Sequence, residues 1–162
     1  MTQPHLIAVA RFVRDLLGYD EQLIKFDRKN IISTDFATSY IVVNGSLPQS
    51  VLARGQRFNG VTEVMTYTAA VSHGIVLEFY GDGAYSNAED YLMLSASQKA
   101  NELRRKNGLT IMSVSNITDV GQLLGQSHGN RVHLSFNIQY APARDVQTLR
   151  IDTPQFQFLE DK

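Results

Sequence analysis

The stretch from Val61 to Gly108 constrains the fold more than any other part of the chain. From Val61, one parity carries Met65, Tyr67, Ala69 and Val71, and the other carries Thr62, Thr66 and Thr68. This is the two-residue period of a strand with one apolar face. Ser72-His73-Gly74 offers a turn, after which Ile75, Leu77 and Phe79 alternate with Val76, Glu78 and Tyr80. Two strands joined so tightly pair antiparallel. Beyond Gly81-Asp82-Gly83, Ser86 and Glu89 match the capping-box pattern. Ala88, Tyr91, Leu92, Ala96, Lys99, Ala100 and Leu103 then follow one broad helical face. Arg104, Arg105 and Lys106 suit the negative end of the helix dipole, and Gly108 suits a left-handed cap. The stretch predicts a hairpin followed by one amphipathic helix.

The flanks add to this. Leu6, Val9, Ala10, Val13, Leu16 and Leu17 recur at helical spacing, with Thr2 or Gln3 as cap, Pro4 in the first turn and Gly18 at the end. Asp27–Asn30 is a polar break, and Ile31-Ile32 reads as a short strand. Tyr40-Ile41-Val42-Val43 is a continuous β-prone run of the kind found in central strands. Ser46 to Gly60 shows weak periodicity and reads as a long loop, a length that is uncommon without a function. Leu109–Val114 reads as a strand, Val120–Leu124 as a helical turn, and Val132–Tyr140 as a strictly alternating strand stopped by Pro142. Val146–Ile151 offers a further strand, and Thr153–Leu159 a strand or tail. The order predicts an α+β fold: a single, mostly antiparallel sheet with two helices packed on one face. The 162 residues, 43% of them hydrophobic, suit one domain over 1–162, with 142–162 as an extension or tail.

The same residues exclude several kinds of chemistry. The chain has no cysteine, so disulfides, thiolate nucleophiles and cysteine zinc sites are ruled out. A formal net charge of -1 gives no global field for nucleic acid or acidic lipid. No basic n-region leads an apolar segment, and no apolar run reaches the about 20 residues of a membrane span. A soluble protein, neither exported nor membrane-bound, is expected. None of His5, His73, His128 and His133 has helical metal-ligand spacing. His133 reads as a solvent-facing strand residue, His73 as a turn residue, and His128 as the histidine best placed for function. Ser113 and Ser115 lack a nucleophile elbow, and Gly121–Gly125 lacks the Lys-Ser/Thr ending of a phosphate loop. Glu63 and Glu78 read as solvent-face residues that protect a sheet edge. No catalytic, cofactor or metal site is expected. A binding surface is expected instead at Arg54, Gln56, Arg57 and Phe58, where arginine and aromatic residues are combined, with Glu63, Tyr67 and His73 on the neighbouring hairpin.

The layout resembles the tail terminator, or neck, proteins of tailed bacteriophages. The resemblance is carried by the first helix, Tyr40–Val43, the segment ending Leu77-Glu78-Phe79-Tyr80-Gly81, the helix closing at Gly108, Ile117-Thr118-Asp119-Val120 and the Val132–Tyr140 strand. It covers Leu6 to Tyr140, while Arg54–Phe58 and the chain after Pro142 match no motif. It implies a non-enzymatic virion protein that assembles in the host cytoplasm. Such a protein forms a homo-hexameric ring that caps the tail tube, stops its growth and meets a head-completion protein and, in some relatives, a sheath. DNA passes the lumen without specific binding. The alternatives are a head–tail connector or minor tail-completion protein, a small α+β hydrolase using His128, and a monomeric binding module.

Overall fold

The structure is a computed structural model that describes residues 3–26, 39–45, 47–120, 122–124 and 127–148. The expected Ile31-Ile32 strand and the Thr153–Leu159 strand or tail lie outside these residues. The first helix, α1 (Pro4–Leu17), starts with proline in its first turn and ends on Gly18 in the left-handed conformation, whose N–H bonds the Arg14 carbonyl. A short 3-10 turn, Glu21–Leu23, leads into β1 (Ile24–Phe26). Next come β2 (Tyr40–Asn44), β3 (Gln49–Asn59) and β4 (Val64–Tyr80). Two helices follow, α2 (Ala84–Ser95) and α3 (Gln98–Asn107), and then β5 (Thr110–Met112) and β6 (Thr118–Asp119). A small separate pair, β7 (Gln122–Leu124) and β8 (Ser127–Gly129), precedes β9 (Arg131–Tyr140) and β10 (Ala143–Gln147).

β4 is the spine of an eight-stranded sheet. Its 17 residues span roughly 55 Å at the usual rise per residue. Along one side it pairs antiparallel with β3 and then β2; along the other it pairs with β10 and then β9. The only parallel pairing among the described residues joins β1 to β2. The fold is α+β, as expected, with three α-helices rather than two.

The core lies over the second half of β4. Ile75, Leu77 and Phe79 share a sheet face with Ile41 and Val43 of β2 and with Val132, Leu134 and Phe136 of β9. That face is covered by Val9, Phe12, Val13 and Leu16 of α1 and by Ala88 and Tyr91 of α2, all buried. Tyr91 sits among Phe12, Phe79 and Phe136, with ring centroids 6.0–6.4 Å apart, within the range of favourable aromatic contacts.

Several expectations are corrected. No turn occurs at Ser72–Gly74, because β4 runs straight through it. Gly74 is needed for close approach: a Cβ there would lie 2.6 Å from the Leu47 Cβ. The hairpin is instead β3–β4, and the region expected to be a long loop is mostly strand. Its turn starts at Asn59, whose side-chain oxygen accepts from the Val61 N–H at 3.0 Å. The single helix expected from Ser86 is two. Gly81 (φ 89°) turns the chain into α2 at Ala84, which leaves Ser86 inside the helix and uncapped by the predicted box. The side chain that does cap is Ser97, whose hydroxyl accepts from the Ala100 N–H at 3.1 Å and starts α3. Of the helical turn expected at Val120–Leu124, residues Gln122–Leu124 are instead strand β7. The expected stop at Pro142 is observed: β9 ends at Tyr140, the Pro142 carbonyl accepts from the Ala69 N–H at 3.2 Å, and the chain re-enters the sheet as β10.

Candidate functional site

β4 outruns the helices that cover it. Its first part, Val64–Ala70, forms a three-stranded arm with β3 on one side and β10 on the other. All residues of β3 and β10 are exposed. Directly opposed residues of an antiparallel pair share a face, so the register sorts the arm into two surfaces. One has the rows Phe58–Met65–Val146 and Gln56–Tyr67–Arg144, with Arg54 opposite Ala69. The other has Asn59–Val64–Gln147 and Arg57–Thr66–Asp145, where the Thr66 hydroxyl donates to Asp145 at 2.6 Å.

The first surface has the same parity along β4 as Ile75, Leu77 and Phe79. It continues the core face past the end of the helical layer. Phe58, Tyr67 and Val146 remain 39%, 46% and 49% exposed there. Apolar side chains in a row beside arginines, with no carboxylate on that face, are the composition of a contact surface rather than of a solvated edge.

Of the residues expected to bind, Arg54, Gln56, Phe58 and Tyr67 fall together on this surface. Arg57 falls on the opposite face beside Thr66. Glu63 lies in the turn at the tip, with φ 53°. His73 does not lie in a turn and is only 1% exposed. It anchors the root of the arm: Nε2 donates to the Gly45 carbonyl at 2.9 Å, which leaves Nδ1 to accept from His5 Nε2 at 2.9 Å. The His5 ring stacks on Tyr140 at 4.3 Å, tying α1 to both β4 and β9. Met65, Arg144 and Val146 complete the surface and were missed from sequence. The Asn59-Gly60 pair, a strong hairpin signal, would have located β3 and so the register.

Burial, and then the nearby His73, lower the His5 pKa below its ordinary value of 6.5. Folded His5 therefore binds a proton less readily than the unfolded chain does, and acid shifts the equilibrium toward unfolding. The stability tied to this contact is fully present above the ordinary value and declines as pH falls through it toward the lowered one. Thermal melts from about pH 7.5 to about pH 5 should show a larger fall in Tm for the wild type than for His5→Gln. Equal falls in the two proteins would show that His5 is not responsible.

The outer face of the sheet holds a second polar group. Glu78 was expected at the solvent face, but its side chain is completely buried, because β4 is flanked there by β2 and β9. It accepts from Tyr80 Oη at 2.7 Å, Arg131 at 3.0 Å and Asn44 Nδ2 at 3.0 Å. His133 lies 3.7 Å away and is not simply solvent-facing, with a side chain 23% exposed. A carboxylate engaged by three donors, one of them an arginine, is a structural latch. Ser115 likewise serves the backbone, with its hydroxyl accepting from the Ser135 N–H at 2.9 Å. His128 belongs to β8, and its side chain lies outside the described residues. Among the described residues no group of three or more His, Asp or Glu side chains could hold a metal, and no helix is long and apolar enough to cross a membrane.

No curated protein matches the chain. A family model described as phage neck terminator protein matches residues 7–162, nearly its full length. The match covers the helical layer, the sheet and the arm together. The chain therefore belongs to the phage neck terminator protein family and is a structural component of the virion's neck.

Proposed function

We propose that this chain closes into a hexameric ring that ends the tail tube, stops its growth and joins it to the head side of the neck. The carrying observation is the arm: a sheet face continuous with the core, lined by Phe58, Met65, Tyr67 and Val146, with no helix over it among the described residues. A face of this kind loses apolar exposure only when another surface covers it. A termination role needs a rigid body with projecting contact elements, and an arm built on a spine rooted in the core supplies that. Its partners are its own copies, the end of the tube, a head-completion protein and, where the tail has one, a sheath. The net charge of -1 suits a lumen that DNA crosses without being held. The chain acts as one domain over residues 1–162, assembled in the host cytoplasm and carried in the virion.

Purified protein mixed with tail tubes and imaged in negative stain tests the reading. Density at a single end of each tube is expected. Decoration along the sides, at both ends, or nowhere counts against termination.

A further inference from the structure

The arm has a donor surface, and the same chain carries a surface complementary to it. The exposed side of α2 presents Tyr85, Glu89 and Met93 at successive four-residue steps, with Asp90 beside them. Tyr85 is 53% exposed and Met93 70%, both large apolar side chains left in water. α2 has no lysine or arginine, so this stripe is apolar and acidic. The arm surface is apolar and basic, with Arg54 and Arg144 flanking Tyr67 and no carboxylate on that face. The two match in both apolar character and opposite charge.

Their placement decides how they can meet. The arm is the first part of β4, whereas α2 begins just beyond the last residue of β4, Tyr80. A spine of roughly 55 Å separates the tip of the arm from the start of α2. Two complementary surfaces at opposite ends of one body join successive copies head to tail, the kind of contact that closes into rings.

We propose that the arm of one copy docks on the exposed α2 stripe of the next, with Arg54 and Arg144 facing Glu89 and Asp90 around an apolar centre of Tyr67, Tyr85 and Met93. This rests on the ring reading and specifies which surfaces build the ring.

Charge exchange tests it. One variant carries Arg54→Glu and Arg144→Glu; another carries Glu89→Arg and Asp90→Arg. Each alone opposes like charges at every junction and is expected to associate at least about tenfold more weakly than the wild type. Mixed one to one, acidic arms meet basic stripes and basic arms meet acidic stripes, so an alternating ring with an even number of subunits closes again. Light scattering should show recovery of the wild-type mass in the mixture only. As a second measurement, Gln56→Cys and Glu89→Cys, made separately in this cysteine-free chain, should join through a thiol crosslinker when mixed and not with themselves. Variants that assemble alone like the wild type, a mixture that does not recover, or no mixed crosslink while the wild type assembles, overturns the α2 assignment and leaves the ring. A wild type that stays monomeric at every concentration overturns both.

Discussion

Arg131→Ala lowers the unfolding free energy by about 3–5 kcal/mol, the cost of removing one partner from a buried ion pair. The Glu78 side chain is 0% exposed, and that of Arg131 only 15%, with 3.0 Å between them. The arginine also lies over the Tyr80 ring, 5.5 Å from its centroid. Tyr80, stacked on Tyr40 at 4.7 Å, in turn donates its hydroxyl to Glu78. Removing Arg131 takes a countercharge from Glu78 and a cover from Tyr80 together. The hydrogen bonds from Tyr80 and Asn44 persist, but neutral donors do not offset a buried charge as a cation does. Glu78→Gln combined with Arg131→Met removes both charges at similar volume and should recover much of the loss. Urea unfolding reads both variants through the midpoint. A single variant costing under about 1 kcal/mol, or a double variant no better than the single, would show that the pair does not carry this part of the sheet.

How far the sequence reveals this structure depends on what each segment packs against. β9 is legible because alternate residues meet the helices: Val132, Leu134, Phe136 and Ile138 are buried, and the residues between them are more exposed. α1 is legible for the same reason, as its apolar stripe is the covering layer. β3 is not legible, because both of its faces meet solvent and no burial imposes a period. It is a strand through its pairing with β4, a long-range property that propensity does not express. Gly74 misleads in the opposite direction, since the glycine that suggests a turn admits Leu47 against a continuous strand. Glu78 misleads because a carboxylate on the polar parity implies solvent until Arg131 and Asn44 are placed around it. For the contact surface, residue type located Arg54, Gln56, Phe58 and Tyr67, but only the register separates them from Arg57 on the opposite face. The buried His73 shows the limit of reading a surface from sequence position alone.

Phe58→Asp with Tyr67→Asp should abolish assembly while leaving the fold intact. Each ring is a large apolar group on the arm surface, 39% and 46% exposed, and neither belongs to the core cluster. Substitutions at such exposed positions usually change stability by less than about 0.5 kcal/mol. The two rings lie in adjacent rows, Phe58 opposite Met65 in the row nearest the tip and Tyr67 on the central strand between Gln56 and Arg144. Aromatic residues that anchor a contact contribute about 2 kcal/mol or more each when truncated. A carboxylate in their place also loses its hydration on docking and meets the carboxylates of α2. The two changes together amount to at least about 4 kcal/mol, roughly a thousandfold in association. Light scattering and tail-end decoration should both lose signal, with Tm unchanged. A matched pair on the opposite face, Arg57→Asp with Thr66→Asp, should weaken assembly much less. If the two pairs act equally, electrostatics of the whole arm govern the contact; if the aromatic pair has no effect, the arm is not the surface by which the chain assembles.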